Sequence, residues 1–209
     1  MSEASQLLTT IVLARIEQGE RYWRYQLFHP EEGPVEALFR RSTKSAGHAP
    51  PDLFQIIAVS LNKVGKSKLP FITEFALKED HAALAHSYPA LKEATSFTRT
   101  IWKNLRHAEF FPPLYTLCIQ ALEAFESGIS PELVHFKALY RLAREEGYPV
   151  KEQWWAQKPE DERAAIADLI QKPVAEIQLQ GELRAYLDDL KHYLHHQTEI
   201  LIPDLMLNK

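Results

Sequence analysis

The sequence contains a single cysteine, Cys118, and this scarcity excludes two kinds of site. One thiol cannot form an intrachain disulfide, and it cannot supply a cysteine-rich zinc site. No apolar run approaches the roughly 18 residues that a membrane-spanning helix needs. The N-terminus, MSEASQLLTT, lacks a basic region followed by an apolar stretch, so no signal peptide is expected. Together these absences predict a cytoplasmic protein that does not enter the membrane.

Motifs of several enzyme classes are also missing. The sequence has no G-x-x-x-x-G-K-[ST] or G-x-G-x-x-G phosphate cradle and no G-x-S-x-G nucleophile elbow. Cys118 lies between Leu117 and Ala121 on an apolar helical stripe. Burial there disfavours the thiolate, so a structural thiol is expected rather than a nucleophile.

A histidine-rich segment, KHYLHHQTE, offers one alternative chemistry. His192, His196 and Glu199 are spaced i, i+4 and i+7, which on a continuous helix would place two imidazoles and a carboxylate on one side, as a divalent metal requires. No HExxH pattern and no second ligand cluster accompany them. A solvated helix face is therefore the favoured interpretation, and neither a metal nor another cofactor is predicted.

Charge is distributed unevenly along the chain. The net charge is -4, yet residues 1–78 hold ten Lys or Arg against eight Asp or Glu, whereas residues 79–209 hold fourteen against twenty. Between positions 40 and 68 there is one acid, Asp52, and there are six bases: Arg40, Arg41, Lys44, Lys63, Lys66 and Lys68. This local excess of positive charge in an acidic chain is the electrostatic feature that most needs a function.

The hydrophobic pattern predicts an α+β protein of two domains. Five strand-like segments rich in β-branched and aromatic residues precede residue 79, and in the last of them Leu69, Phe71, Phe75 and Leu77 share one face. Five strands without a helix predict a small antiparallel barrel, an OB-fold being the commonest, with an SH3-like barrel as the alternative. We therefore expect a barrel domain over residues 1–78.

Helical periodicity replaces the strand pattern after residue 78. Apolar stripes follow Leu91, Leu114 and Leu183, and the segment SPELVHFKALYRLAREEGYP has an N-cap at Ser130 and a C-terminal stop at Gly147. Several amphipathic helices joined by short links indicate a bundle. The second domain is predicted to span residues 79–209.

The basic segments carry the main functional prediction. Cations and hydroxyl groups in the loop RRSTKS can contact phosphate oxygens, and the six basic side chains already named are candidate nucleic-acid contacts. Tyr22, Trp23 and Tyr25 are candidate base-stacking residues, since OB-folds hold single strands by combining charge with aromatic rings. Two points weigh against a single DNA-binding surface formed by all six basic side chains. Lysines at strand edges also discourage aggregation between sheets, and consecutive turns of a meander lie at opposite ends of a sheet.

The order of these parts resembles the RecO family of recombination mediators over nearly the whole chain. ELVHFKALYRLAREEGYPV is similar to the family helix that ends in a Leu-Gly-Tyr turn, and PPLYTLCIQALEAFESGISPEL is similar to the helix and turn before it. RYQLFHPEEGPVEALFRRSTKS is similar to the family hairpin that runs into a basic loop. The segment VKEQWWAQKPEDERAA replaces the four-cysteine zinc module of many members, so no zinc is expected.

The resemblance implies a function without covalent catalysis. Family members bind single- and double-stranded DNA, anneal strands during recombinational repair, and work with RecR and single-stranded DNA-binding protein. Carried over by position, the DNA contacts fall on Arg40, Arg41 and Lys44, followed by Lys63, Lys66 and Lys68.

A protein-interaction scaffold of the same fold with little DNA affinity is the alternative. The acidic helical region and the ending EILIPDLMLNK, where family members are often basic, both favour it. The adjacent Trp154 and Trp155 are candidates for an exposed partner surface. The other interpretation is that one tryptophan anchors the helical domain and the other lies against the barrel.

Overall fold

The computed structural model of the chain describes residues 6–41, 49–63, 65, 67–173, 177 and 182–206. The chain divides into two compact units. One unit holds the chain up to Ala82 together with Glu109–Tyr115. The other holds Ala83–Ala108 and the chain from Thr116 onwards.

Five strands of the first unit form a closed barrel, which confirms the predicted α+β class with an N-terminal barrel. They are β1 (Gln6–Gln18), β2 (Tyr22–His29), β3 (Gly33–Arg40), β4 (Ile56–Asn62) and β5 (Phe71–Glu79). The order around the barrel is β1-β2-β3-β5-β4, and β1 closes it by pairing with both β2 and β4. Because β3 pairs in parallel with β5 instead of continuing a meander into β4, the order is that of an OB-fold.

Alternation along β2 decides what faces the barrel core. Tyr25 and Leu27 are fully buried in that core and Trp23 packs against it, so the residues between them face outward. The buried residues of the barrel core are Leu8, Val12, Tyr25, Leu27, Ala37, Ile57, Val59 and Ile72. The pattern RYWRYQLFH thus alternates between residues that face the core and residues that face outward.

The predicted apolar face of β5 is wrong in part, because the strand contains a bulge. Ser60 pairs with Glu74 and Leu61 pairs with Ile72, so Thr73 is an additional residue on β5. A bulge changes which alternate residues point inward. Ile72 and Phe75 therefore both pack on the barrel core, whereas Leu77 is 51% exposed.

Residues 109–115 cover part of the outer face of the barrel. The ring of Tyr115 packs edge-on against the fully buried Phe28, with 5.3 Å between ring centroids. The ring of Phe111 lies over Gly33, where a Cβ atom would sit 2.5 Å from its Cζ atom. Gly33 also has a positive φ of 74°. The first residue of β3 is therefore glycine for two separate reasons.

We expect Gly33→Ala to destabilise the protein by roughly 2–4 kcal/mol, since it adds a steric clash to a left-handed backbone. Gly19→Ala is the matched control, because Gly19 has a φ of 62° and a Cβ atom added there would meet nothing within 4 Å. That control should cost only about 1 kcal/mol. Urea denaturation of both variants measures the difference, and equal losses would show that the Phe111 ring moves away without cost.

The described residues of the chain include seven helices, which confirms the predicted helical region. They are α1 (Tyr88–Asn104), α2 (Pro112–Glu126), α3 (Pro131–Glu145), α4 (Val150–Gln153), α5 (Glu160–Gln171), α6 (Leu183–Gln197) and α7 (Pro203–Met206). Among the residues that the structure describes, no helix has the length and apolar character needed to cross a membrane.

Helix α3 begins and ends where the sequence predicts. The Ser130 side chain accepts a hydrogen bond from the Leu133 N–H, and the proline that follows Ser130 occupies the first turn. At the other end, the N–H groups of Gly147 and Tyr148 donate to the carbonyls of Arg144 and Ala143. This pair of hydrogen bonds is a Schellman motif.

The predicted apolar stripes of α1, α2 and α6 are buried in the helical unit. Cys118 is fully buried on the α2 stripe, and burial raises the pKa of its thiol to about 12. The thiol therefore stays protonated at neutral pH, as expected of a structural cysteine.

A buried ionic cluster connects four helices of this unit. Glu93 on α1 is 3% exposed; its Oε2 atom lies 2.6 Å from Nδ1 of His135 on α3, and its Oε1 atom accepts from Nη1 of Arg184 on α6 at 2.9 Å. Lys191 on α6 donates to Asp204 on α7 at 3.3 Å. Buried charges persist only when they are paired and hydrogen-bonded, so these contacts hold one another in place.

Candidate nucleic-acid interface

The exposed Arg40 and the half-buried Tyr22 are paired neighbours on the outer face of the barrel. The two residues stand at the end of β3 and the start of β2. The Tyr22 ring meets Phe71 of β5 edge-on, with 5.7 Å between centroids. Two other predicted contacts, Lys44 and Lys66, lie outside the described residues.

The β4–β5 loop reaches the same region of the barrel. Phe71, the first residue of β5, pairs with Leu38 of β3 and with Asn62, the last residue of β4. The Leu38 N–H donates to the carbonyl of Pro70 at 2.8 Å. Because Pro70 bonds Leu38 and Asn62 pairs with Phe71, the loop ends beside β3 and begins one strand away from it. The separation expected for turns of a meander therefore does not apply.

Lys63 and Lys68 are exposed on that loop. Lys63 follows the last residue of β4, and Lys68 lies two residues before Pro70. Two residues of extended chain span only about 7 Å. Lys68 therefore lies near the residue that bonds Leu38, and Lys63 directly follows the residue paired with Phe71, whose ring contacts Tyr22.

Tyr25 does not lie on this surface, and its prediction as a base-stacking residue is wrong. Its side chain is fully buried in the barrel core, and its hydroxyl donates to the carbonyl of Pro51 at 2.8 Å. Burial raises the pKa of Tyr25 to about 12 despite the lowering effect of the neighbouring Arg15. A ring enclosed in the core cannot stack on a base.

Trp23 also faces inward and has a different role from the one predicted. The indole packs against the barrel core while the guanidinium groups of Arg15 and Arg41 lie 5.0 Å and 4.3 Å from its ring centroid. Arg41 additionally approaches Glu17, with 3.5 Å between Nη1 and Oε1. Trp23 therefore supports two cations at the barrel end instead of offering an open stacking platform.

Arg24 belongs to the outer face but is absent from the sequence-based candidates. It stands between Ile16 of β1 and Leu38 of β3 in the register of the sheet, and it forms no ion pair with another described residue. Its Nε atom is buried without a hydrogen-bond partner. Strict alternation from Tyr22 would have identified it, because residues two apart on a strand share a face.

These observations define the β2–β3 surface, which consists of Tyr22, Arg24, Leu38, Arg40 and Phe71. Two cations, two aromatic rings and one aliphatic side chain are combined on adjoining strands. Neither arginine is paired with a described carboxylate; Arg40 is exposed and Arg24 is half-buried. Such a surface can contact phosphate oxygens and apolar ring faces at the same time.

The histidine-rich segment does not form the helical ligand face that was considered as the alternative to a solvated face. Helix α6 ends at Gln197, and Thr198 is extended with φ -133° and ψ 176°. Glu199 therefore leaves the helical register of His192 and His196. Among the described residues, no group of three or more His, Cys, Asp or Glu side chains is placed to hold a metal ion.

Both adjacent tryptophans are positioned by contacts inside the helical unit. Trp154 is 3% exposed, packs near Phe136 and Tyr140, and donates from Nε1 to Asp189 at 2.6 Å. Trp155 is half-buried and donates from Nε1 to the carbonyl of Arg163 at 3.0 Å. Trp154 is thus the tryptophan that anchors the helical unit, as expected of one of the two residues.

Comparison with known proteins identifies no relative. The sequence matches no protein-family model, and no curated protein matches it with significant similarity.

Proposed function

We propose that this chain is a non-enzymatic DNA-binding protein of the RecO type, which binds single strands on the β2–β3 surface and promotes their annealing. One observation carries the proposal: Tyr22, Arg24 and Arg40 share an outer face of an OB-fold barrel next to the lysine-bearing β4–β5 loop. Outer strands and adjoining loops of this kind are where OB-folds hold oligonucleotides.

Phosphate contact supplies the affinity. Arg24 and Arg40 stand on adjacent strands without a described carboxylate partner, so a bound phosphate would not have to break an ion pair first. Each cation that neutralises a phosphate releases condensed counterions. Lowering the charge of a bound strand also weakens its repulsion of a second strand, which favours annealing.

Ring stacking supplies a preference for single strands. Tyr22 is the first residue of β2 and Phe71 is the first residue of β5, and their rings meet edge to face. Stacking on a base requires that the base be unpaired, and each stacked base contributes about 1–3 kcal/mol. Bases inside a duplex do not offer their faces, so duplex DNA is expected to bind through phosphate contact alone.

The resemblance in sequence order implies the partners, and the single cysteine implies the compartment. A RecR-like protein and a single-stranded DNA-binding protein are the expected partners in repair, in the cytoplasm. The helical unit belongs to the part of the chain with a negative net charge, which favours it for protein contacts, whereas the barrel part has a positive net charge.

The direct test is charge reversal at Arg40. We expect Arg40→Glu to weaken binding of a labelled, unstructured single strand and to reduce the salt slope by about 0.7 for each lost phosphate contact. Lys78→Glu is the matched control, since Lys78 is exposed on β5 seven residues beyond Phe71, or about 23 Å along the strand. Fluorescence anisotropy in a salt series measures both variants.

The two outcomes separate DNA binding from the scaffold alternative. Selective loss of affinity and of salt dependence in Arg40→Glu supports the β2–β3 surface as the site. Equal behaviour of Arg40→Glu and Lys78→Glu would exclude this surface as the binding site. Absence of binding by the wild type at low salt would favour a scaffold that acts through protein partners.

A further inference from the structure

A groove in the helical unit combines aromatic rings with unpaired cations. Its volume is about 520 Å³, and its walls include Tyr140, Arg144, Tyr148, Lys151 and Trp155. We call these five residues with the space between them the aromatic groove. Cavities of roughly 300–1,000 Å³ are typical of small-molecule sites. The groove therefore has the size of a small-molecule site.

The aromatic walls are fixed by polar contacts at their edges. The Trp155 indole donates from Nε1 to the carbonyl of Arg163 at 3.0 Å, and the Tyr148 hydroxyl accepts from the Glu199 N–H at 3.2 Å. Both side chains are half-buried and line the groove with their apolar surface. Rings held in this way lose little conformational freedom when a ligand stacks on them.

The charge of the groove is opposite to that of its surroundings. Residues 79–209 carry fourteen basic and twenty acidic side chains, a balance of -6, but residues 137–151 carry four basic and two acidic ones. Arg144 and Lys151 are exposed and form no ion pair with another described residue, whereas Arg141 is paired with Glu145. Glu152 is the single carboxylate among the lining residues, so two cations face one anion.

We propose that the aromatic groove binds a nucleotide segment of a second single strand. Trp155 and Tyr148 would contact the base, and Arg144 and Lys151 would contact the phosphate. An anion alone would not use the two rings, and an apolar ligand would not use the two unpaired cations. The inference rests on the proposed function, because a second strand held by the same chain would assist only a protein that anneals strands.

The test counts bound strands per chain. A labelled thymidine hexamer is titrated to saturation and the complex is weighed by sedimentation, since a strand of about six nucleotides covers a single site. The wild type is expected to bind two strands, and Arg144→Glu/Lys151→Glu and Arg24→Glu/Arg40→Glu are each expected to bind one. Lys103→Glu/Arg106→Glu is the matched control, with two exposed cations reversed on the same unit, and should bind two.

The design distinguishes failure of this inference from failure of the proposed function. Suppose that the wild type binds only one strand. If Arg24→Glu/Arg40→Glu loses that strand and Arg144→Glu/Lys151→Glu retains it, the groove site is overturned and the barrel site is left intact. If instead Arg144→Glu/Lys151→Glu loses the strand and Arg24→Glu/Arg40→Glu retains it, the barrel site is overturned and the groove is supported. A labelled acidic hexapeptide that binds the wild type and not Arg144→Glu/Lys151→Glu, with the number of bound hexamers unchanged in that variant, would identify the groove as a peptide site and overturn the inference.

Discussion

Glu93→Ala is expected to lower the free energy of unfolding by roughly 2–4 kcal/mol, since it removes hydrogen bonds to a carboxylate and leaves a buried imidazole unsatisfied. The carboxylate is the shared partner of His135 and Arg184, at 2.6 Å and 2.9 Å. His135 is completely buried, and its Nε2 atom has no hydrogen-bond partner. Loss of Glu93 would therefore leave an imidazole with neither nitrogen satisfied.

Urea denaturation at pH 7.5 measures this effect. Glu93→Gln keeps the size and one oxygen acceptor, so it should cost less than Glu93→Ala. Glu123→Ala on α2 is the control for removing an exposed glutamate, and its effect should stay within about 0.5 kcal/mol. A loss below about 1 kcal/mol in Glu93→Ala would mean that the cluster contributes little beyond its surroundings.

Acidification is expected to destabilise the helical unit through the same cluster. Burial raises the pKa of Glu93, but the hydrogen bond and charge of His135, the charge of Lys191 and the hydrogen bond from Arg184 outweigh burial and bring it to about 2 from an ordinary 4.5. The pKa of Asp204 is likewise lowered, because the Ser96 hydrogen bond and Lys191 outweigh the effect of burial. Burial lowers the pKa of His135, an effect that the hydrogen bond to Glu93 only partly offsets.

All three shifts have the same sign for stability. In each case the folded group takes up its proton at a lower pH than the unfolded group, so stability is lost as pH falls. For His135 the loss begins below its ordinary pKa of 6.5, and for Glu93 it extends from 4.5 down to about 2. The Glu93 interval alone corresponds to about 3 kcal/mol.

Unfolding free energies measured between pH 7.5 and pH 3 test this prediction. The wild type should lose stability below pH 6.5 and lose it more steeply below pH 4.5. Glu93→Gln, which has no carboxylate to titrate, should show a shallower fall in the lower interval. Parallel curves for the two proteins would assign the acid sensitivity to other groups.

Local features of the fold follow from the sequence because they depend on neighbouring residues. Ser130 and Gly147 mark the two ends of α3 through backbone chemistry within a few positions of each terminus. The alternation of β2 likewise separates core from surface. The bulge at Thr73 is not predictable in this way, since its position depends on how β5 pairs with β4.

Long-range pairing decides the features that the sequence leaves open. The parallel contact of Leu38 with Phe71 brings the β4–β5 loop beside β3 across 33 positions of the chain, counted from 38 to 71. No local pattern specifies that neighbour, and without it the basic segments cannot be assigned to one surface. Glu93 and His135 are similarly distant in sequence, and each alone resembles an ordinary polar residue on an amphipathic helix.

The candidate site was predictable in part. Arg40 and Tyr22 follow from charge and aromatic character, and both lie on the β2–β3 surface. The prediction of Tyr25 as a base-stacking residue was wrong, because aromatic character alone does not show on which side of the strand a ring lies. The same alternation that buries Tyr25 places Arg24 outward. Applied consistently, it removes Tyr25 from the candidate residues and adds Arg24.

Binding of single-stranded DNA to the barrel, through phosphate contact and stacking, is the proposal on which the others depend. It is tested by the affinity of the wild-type protein for a labelled, unstructured single strand across a salt series, with an unlabelled duplex as competitor. We predict binding at low salt, a log–log salt slope of about -0.7 for each phosphate contact, and weaker competition by duplex than by single strand. Absence of binding at about 20 mM salt, or an affinity that does not change with salt, would contradict the proposal.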